Sequence, residues 1–151
     1  MGLYQSGKKK DMLNQLQKMC MKGVICAYCK EPPVLVDSKI IYGTSYGKIW
    51  LCEKCNAYVG VHKGTEKPLG RLAKADLREA KKEAHLHFDK LWKSGKMKRS
   101  QAYQWLSDTL MIPSEFTHIG MFNKETCKKV VELSKHALIS ENLTNTRNFN
   151  R

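Results

Sequence analysis

Cys26-Ala27-Tyr28-Cys29 and Cys52-Glu53-Lys54-Cys55, two Cys-x-x-Cys turns with 22 residues between them, decide how the rest of the chain is read. Four thiolates arriving as two tight turns suit a tetrahedral Zn²⁺ ion. Each turn aims its two sulfurs at one point, and the chain between them supplies strands that bring the points together. We therefore expect one structural zinc held by Cys26, Cys29, Cys52 and Cys55. Each turn is followed by a residue that must accept a tight, sometimes left-handed backbone; Asn56 does so readily, Lys30 less readily than glycine. Disulfides would need an oxidising compartment, and a redox dithiol would not need two matched copies.

Around these turns the pattern is one of short β-type runs. They are Val34-Leu35-Val36, Ile40-Ile41-Tyr42, Ile49-Trp50-Leu51 and Tyr58-Val59-Gly60-Val61, broken by Pro32-Pro33, Asp37-Ser38 and the loop Gly43 to Lys48. This predicts a ribbon of hairpins over residues 24–62. The glycines at 43 and 47 frame Tyr46, and Lys48 follows. Such a tip can stack on a base or reach into a groove; a tyrosine in a glycine turn also serves to cover a small ribbon core.

The flanks read as helical. Residues 1–23 contain an amphipathic stretch with Met12, Leu13, Leu16, Met19 and Cys20 at helical spacing, closed by Gly23. After a connecting loop at 63–71, a helical subdomain of about three helices is expected over 72–139. The longest pattern, 71–93, places Leu72, Leu77, Ala84, Phe88 and Leu91 on one stripe and stops at Ser94-Gly95. A second helix starts with Ser100 as its cap and is closed by Pro113. A third, capped by Asn123, runs from Lys124 to Leu138. Residues 140–151 lack apolar periodicity and read as a flexible tail. The fold class is α+β: a four-cysteine ribbon packed with helices.

Charge sets the class of partner. Twenty-seven Lys plus Arg against 14 Asp plus Glu leave +13 in 151 residues, and a four-thiolate zinc centre of charge −2 lowers this only to about +11. Nucleic acid is the expected partner of such a field, with a protein partner as the lesser option. The expected phosphate contacts are Lys63, Arg71, Arg78, Lys81 and Lys82, then Lys96, Lys98 and Arg99 in the cationic link, with Tyr46 and Lys48 at the ribbon tip. No apolar run is long enough for a membrane span, and the N-terminal residues do not open a signal peptide, so a reducing cytoplasm is expected.

The order of motifs resembles a small family of bacterial and phage proteins that contain a zinc-finger domain. The matching stretches are Cys26-Ala-Tyr-Cys29, Tyr42-Gly-Thr-Ser-Tyr-Gly47, Trp50-Leu-Cys-Glu-Lys-Cys55 and Ala57-Tyr-Val-Gly-Val-His-Lys-Gly-Thr65. They continue with Pro68-Leu-Gly70, Ala102-Tyr-Gln-Trp-Leu106 and His118-Ile-Gly-Met-Phe122. The resemblance covers roughly 24 to 135 and implies a zinc site at the four cysteines and a helical C-terminal portion, with no activity attached. Lys30 departs from the glycine common after a zinc knuckle.

Catalysis would need groups outside the closed zinc site. His62, His85, Asp89 and His118 are the candidates, since His85 and Asp89 at i and i+4 share a helix face and further imidazoles could complete a metal or general-base site. They equally read as a helical side-chain pair and a satisfied core histidine. No nucleophile triad, phosphate loop or paired-carboxylate motif names a reaction. Non-enzymatic nucleic-acid binding is therefore the functional expectation, with a metal-dependent nuclease and a protein-interaction adaptor as the alternatives.

Overall fold

The computed structural model describes residues 12–149, with side chains through residue 139. The chain forms α1 (Gln15–Met21), β1 (Val34–Asp37), α2 (Lys39–Tyr42), β2 (Lys48–Cys52), β3 (Ala57–Gly60), α3 (Ala75–Lys93), α4 (Arg99–Leu110) and α5 (Lys124–Phe149). It is an α+β protein, as expected.

Asn14 starts α1 by reciprocal capping, its Oδ1 accepting the Gln17 N–H at 2.8 Å while Gln17 Oε1 accepts the Asn14 N–H at 2.8 Å. Cys20 and Met21 are buried, whereas Met12 and Leu16 are exposed, so the docking face is narrower than the methionine stripe. The part of the expected N-terminal helix before residue 12 lies outside the described residues.

The three strands pair antiparallel in the order β1-β2-β3, with Leu51 opposite both Val34 and Tyr58. Alternation along β2 gives the small sheet two apolar faces. Ile49, Leu51 and Tyr58 pack with Val36 and Ile41 on one face. Trp50 and Val59 lie on the other, against the cysteines and Leu72.

Ile40-Ile41-Tyr42, expected as a strand, is the helical turn α2. Asp37 Oδ1 accepts the Lys39 N–H at 2.8 Å and starts the turn, and Gly43 at φ 78° ends it. The turn seats Ile41 on the sheet and leaves Ile40 outside. Local capping thus overrides β propensity.

The stretch after β3 is a hairpin rather than a plain loop. His62 N–H donates to Lys67 O at 2.9 Å and Leu69 N–H to Gly60 O at 2.9 Å. The returning chain then pairs with β3 at one position: Tyr58 N–H donates to Ala73 O at 3.1 Å and Ala73 N–H to Tyr58 O at 3.0 Å. That pairing holds Leu72 and Ala73 extended, which is why α3 begins at Ala75 and not near 71.

Helices α3, α4 and α5 enclose the larger core. Leu77, Ala84, Phe88 and Leu91 of α3 meet Ala102 and Leu106 of α4 and Cys127 and Val130 of α5. Burying a side chain such as Phe88 contributes about 1.5–3 kcal/mol. Gly95 at φ 83° ends α3. Helix α4 starts two residues earlier than Ser100 capping implies, with Gln101 Oε1 accepting the Lys98 N–H at 2.9 Å, and ends at Met111 in the left-handed region (φ 59°), before Pro113. Two 3₁₀ turns, Ser114–Phe116 and Ile119–Met121, carry buried Phe116 and Ile119 between helices. Asn123 Oδ1 caps α5 through the Thr126 N–H at 2.8 Å, and the helix continues past residue 138 to Phe149.

Candidate metal centre and the adjoining basic cleft

The first knuckle is built by backbone bonds: Cys26 N–H donates to Glu31 O at 2.8 Å, and Lys30 N–H returns to Cys26 O at 2.7 Å. Lys30 takes the left-handed conformation this requires, at φ 68°, and its ammonium reaches Ala27 O. In the second knuckle Cys52 ends β2 and faces Ala57, the first residue of β3, so the turn between them is the hairpin itself. Asn56 closes it at φ 53°. Both residues after the knuckles adopt the backbone the sequence requires of them.

The four sulfurs come within 4.8 Å of one another, with Cys29 and Cys52 3.6 Å apart. A tetrahedron with Zn–S bonds of about 2.3 Å has edges of ~3.8 Å, so the cluster and its all-thiol donor set fit one structural zinc. The Glu31 N–H lowers the Cys29 thiol below its usual value, as a backbone donor to a zinc thiolate does. Burial first, then hydrogen bonds among the crowded thiols, pushes Cys55 up to about 12. Four protein ligands leave a bound zinc no open position.

The metal centre is fastened to the helices. Tyr28, inside the first knuckle, accepts the Lys74 N–H on its hydroxyl at 3.1 Å, and the Lys74 ammonium lies 4.6 Å above its ring. Lys74 caps α3 without a side-chain acceptor of its own, so the knuckle satisfies that orphan N–H. Nearby, Arg71 Nε donates to Met121 O at 3.0 Å and Lys81 Nζ to Arg71 O at 2.8 Å. Burial is the main cause that lowers both, Lys81 to about 8. These two cations therefore spend donors on backbone carbonyls at the seam between ribbon and helices.

Beside this seam a cleft of about 460 Å³ opens between the sheet and helices α3 and α4. Arg78, Lys81, His85, Arg99 and His118 line it, together with Tyr42, Tyr58 and Tyr103. Arg78 lies over Tyr58 with its guanidinium carbon 4.1 Å from the ring centre while one N–H donates to Ala73 O at 2.6 Å, and Arg99 lies over Tyr103 at 4.7 Å. Burial holds the Tyr58 and Tyr103 hydroxyls above their usual range, so both rings are neutral. A second cleft of about 590 Å³ shares Tyr42, Tyr58, Gly60 and Leu69 with the first and runs out to Tyr46, Lys48 and Lys63. Among the described residues no carboxylate lines either cleft, although Glu66 pairs with Lys48 at the outer one. By contrast, Asp76, Glu79, Glu83 and Glu132 line the groove between α3 and α5.

Eight of the sequence candidates thus meet on one face: Tyr46, Lys48 and Lys63 in the outer cleft, and Arg78, Lys81, Arg99, His85 and His118 in the inner one. Tyr46 is 77% exposed, and its loop is pinned by Tyr46 N–H donating to Ser38 Oγ at 2.7 Å. Lys48 pairs with Glu66 at 3.4 Å. Lys82 sits outside these clefts, 3.8 Å from Glu79, and Lys96 and Lys98 lie in the exposed link before α4.

His85 Nδ1 is 3.6 Å from Asp89, the helical pair the sequence allows. Partial burial, then Arg99 and His62, holds His118 below the usual histidine value. Among the described residues the four cysteines form the one group of three or more metal-ligating side chains. The His87 side chain is 19% exposed and lies 3.4 Å from Glu83.

Sequence reasoning missed Tyr42, Tyr58 and Tyr103 as site residues. Arg99 and Tyr103 stand four apart on α4, a spacing that could have flagged the second stacked pair. Tyr58 meets Arg78 only through the bridge to Ala73, which no local pattern announces.

A family model described as a zinc-finger-containing domain matches residues 22–137. Comparison with curated proteins and with solved structures returns no match.

Proposed function

Since the chain belongs to the family of zinc-finger-containing domains, we propose that it is a non-enzymatic nucleic-acid-binding protein whose zinc fixes the frame of a basic, tyrosine-rich face. One observation carries this reading. Two adjoining clefts gather lysines, arginines and tyrosines with no carboxylate among their described lining residues, while the groove between α3 and α5 holds four carboxylates beside only two lysines, Lys124 and Lys128. In a chain of net charge +13 such segregation gives polyanions one place to bind. Lys48, Lys63, Arg78 and Arg99 meet phosphates, and the tyrosines offer π-faces. Arg71 and Lys81, bonded to carbonyls and desolvated by burial, hold the face in shape and add field rather than direct contacts; Arg78 gives one N–H to Ala73 O and has others for a phosphate. The setting is a reducing bacterial or phage-infected cytoplasm, where thiolates stay available to zinc.

A salt titration of binding tests the reading. Four phosphate contacts give a slope of log affinity on log salt near −3, at roughly 0.7–0.9 per contact. Reversing charge with Arg99→Glu should flatten the slope and weaken binding at least tenfold. An affinity indifferent to salt and to Arg99→Glu overturns it.

Two other readings keep distinct signatures. The His85–Asp89 pair would make a nuclease lose turnover with His85→Ala while zinc and fold persist. Capture of a protein that survives nuclease treatment and high salt would point to an adaptor using the groove between α3 and α5.

A further inference from the structure

We infer that the ligand is a single strand, and that the cleft between the ribbon and α3–α4 takes one unstacked base from it. The inference rests on the nucleic-acid reading above and adds the form of the ligand. Three observations carry it.

The first is shape. The inner cleft is concave and backed by Ala73 and Ile119, each 1% exposed. Its volume of about 460 Å³ falls within the roughly 300–1,000 Å³ of pockets that enclose small ligands. A duplex presents a rod of phosphates with its bases paired and stacked inside. Such a rod can touch the rim but cannot deliver a base between the walls unless one is flipped out.

The second is chemistry. The ribbon contributes Tyr58 under Arg78, and α4 contributes Tyr103 under Arg99. Guanidinium–tyrosine pairs on both walls offer planar groups on which an unpaired base stacks, irrespective of its sequence. Tyr42 ties the ribbon wall together, its hydroxyl 3.3 Å from that of Tyr58.

The third is continuity. The outer cleft prolongs the inner one through the same Tyr42 and Tyr58, toward Lys63 and the exposed Tyr46. A strand that leaves one base in the inner cleft can continue across Tyr46, where a second base stacks, with Lys48 and Lys63 beside its phosphates. Cations alternating with rings along one path is the pattern of single-strand grooves.

The test uses the full zinc-loaded chain and three labelled probes of equal length: oligo-dT, oligo-rU and a DNA duplex, read by fluorescence anisotropy at one salt concentration. The expected result is at least tenfold tighter binding of one or both single strands than of the duplex. The better of dT and rU then identifies the sugar.

Tyr46→Ala, at an exposed position, should weaken single-strand binding roughly 5- to 150-fold, the range for loss of one stacked base, and leave duplex binding unchanged. A variant-free measurement runs beside it: 2-aminopurine within the single strand should lose fluorescence on binding as it stacks. Duplex binding equal to or tighter than single-strand binding, or an unquenched 2-aminopurine, overturns the inference while leaving nucleic-acid binding intact. Failure of all three probes to bind overturns the underlying reading instead.

Discussion

Gly70 and Gly120 pass each other backbone against backbone: a Cβ on Gly70 would lie 2.3 Å from the Gly120 carbonyl oxygen. That oxygen also accepts the Arg71 N–H at 2.9 Å, so the approach is a bonded crossing of the ribbon's exit strand over the turn before α5. Gly23 lies on the other side, where its own Cβ would come 2.3 Å from Gly70 O. Three glycines from three segments thus let the ribbon and the helices share one seam.

Gly70→Ala should destabilise the fold by about 1–3 kcal/mol, because the new methyl meets backbone that cannot swing away. Gly64→Asn is the control. It keeps a positive φ of 77° in open space, which Asn tolerates, and should cost less than about 0.5 kcal/mol. Denaturant unfolding of both variants decides the matter; equal midpoints would refute the seam.

Zinc should be present at one ion per chain, and its removal by a chelator should unfold the ribbon, since the ordered state of so small a module depends on its metal. Cys52→Ser should lower metal content. Cys127→Ala should leave the stoichiometry at one, because Cys127 is buried in the helical core. Metal analysis of the two variants separates ligand from core cysteine, and a full complement of zinc in Cys52→Ser would remove Cys52 from the site.

Tyr28→Phe removes the acceptor for the Lys74 N–H and should cost about 1 kcal/mol without changing zinc content. The expected readout is a lower melting temperature with earlier proteolysis near the start of α3. An unchanged melting temperature would mean that water satisfies that N–H equally well.

Lys81 gives a pH dependence of definite sign. Burial, reinforced by Arg71 and Arg78 and opposed by Cys127, lowers it from 10.5 to about 8. Between those values the unfolded chain holds the proton that the folded chain has lost, so this group's contribution to stability rises with pH. Below about 8 the burden on the folded state is full. Lys81→Met removes it, and the variant's stability relative to the parent should be more favourable at pH 7 than at pH 9.5. A difference that stays constant over that range would show Lys81 to be titrating normally.

Much of this architecture was legible from the chain. The spacing of Cys26, Cys29, Cys52 and Cys55 announced the metal centre because ligand geometry leaves few alternatives, and Leu77, Ala84, Phe88 and Leu91 announced the buried face of α3 by period alone. Ile40-Ile41-Tyr42 misled because the caps that make it helical, Asp37 and Gly43, lie outside the apolar run. The start of α3 was misplaced because Ala73 is held by Tyr58, a partner fifteen residues earlier. Candidate cations could be named but not sorted. Arg71 and Arg78 look alike in sequence and each donates to a backbone carbonyl, of Met121 and of Ala73; the Tyr58 ring beneath Arg78 sets them apart.

The bridge between Tyr58 and Ala73 also bears on the order in which a nascent chain can fold. All four zinc ligands and the residue that closes the bridge have been synthesised by position 73, so a metal-stapled ribbon can form while the rest is still being made. Helix α3 follows it directly, but Cys127 and Val130, which cover part of its apolar side, come about fifty residues later. At an elongation rate of about 5–20 residues per second, the young protein carries an uncovered amphipathic helix on a finished ribbon for several seconds, an interval in which a chaperone has something to hold.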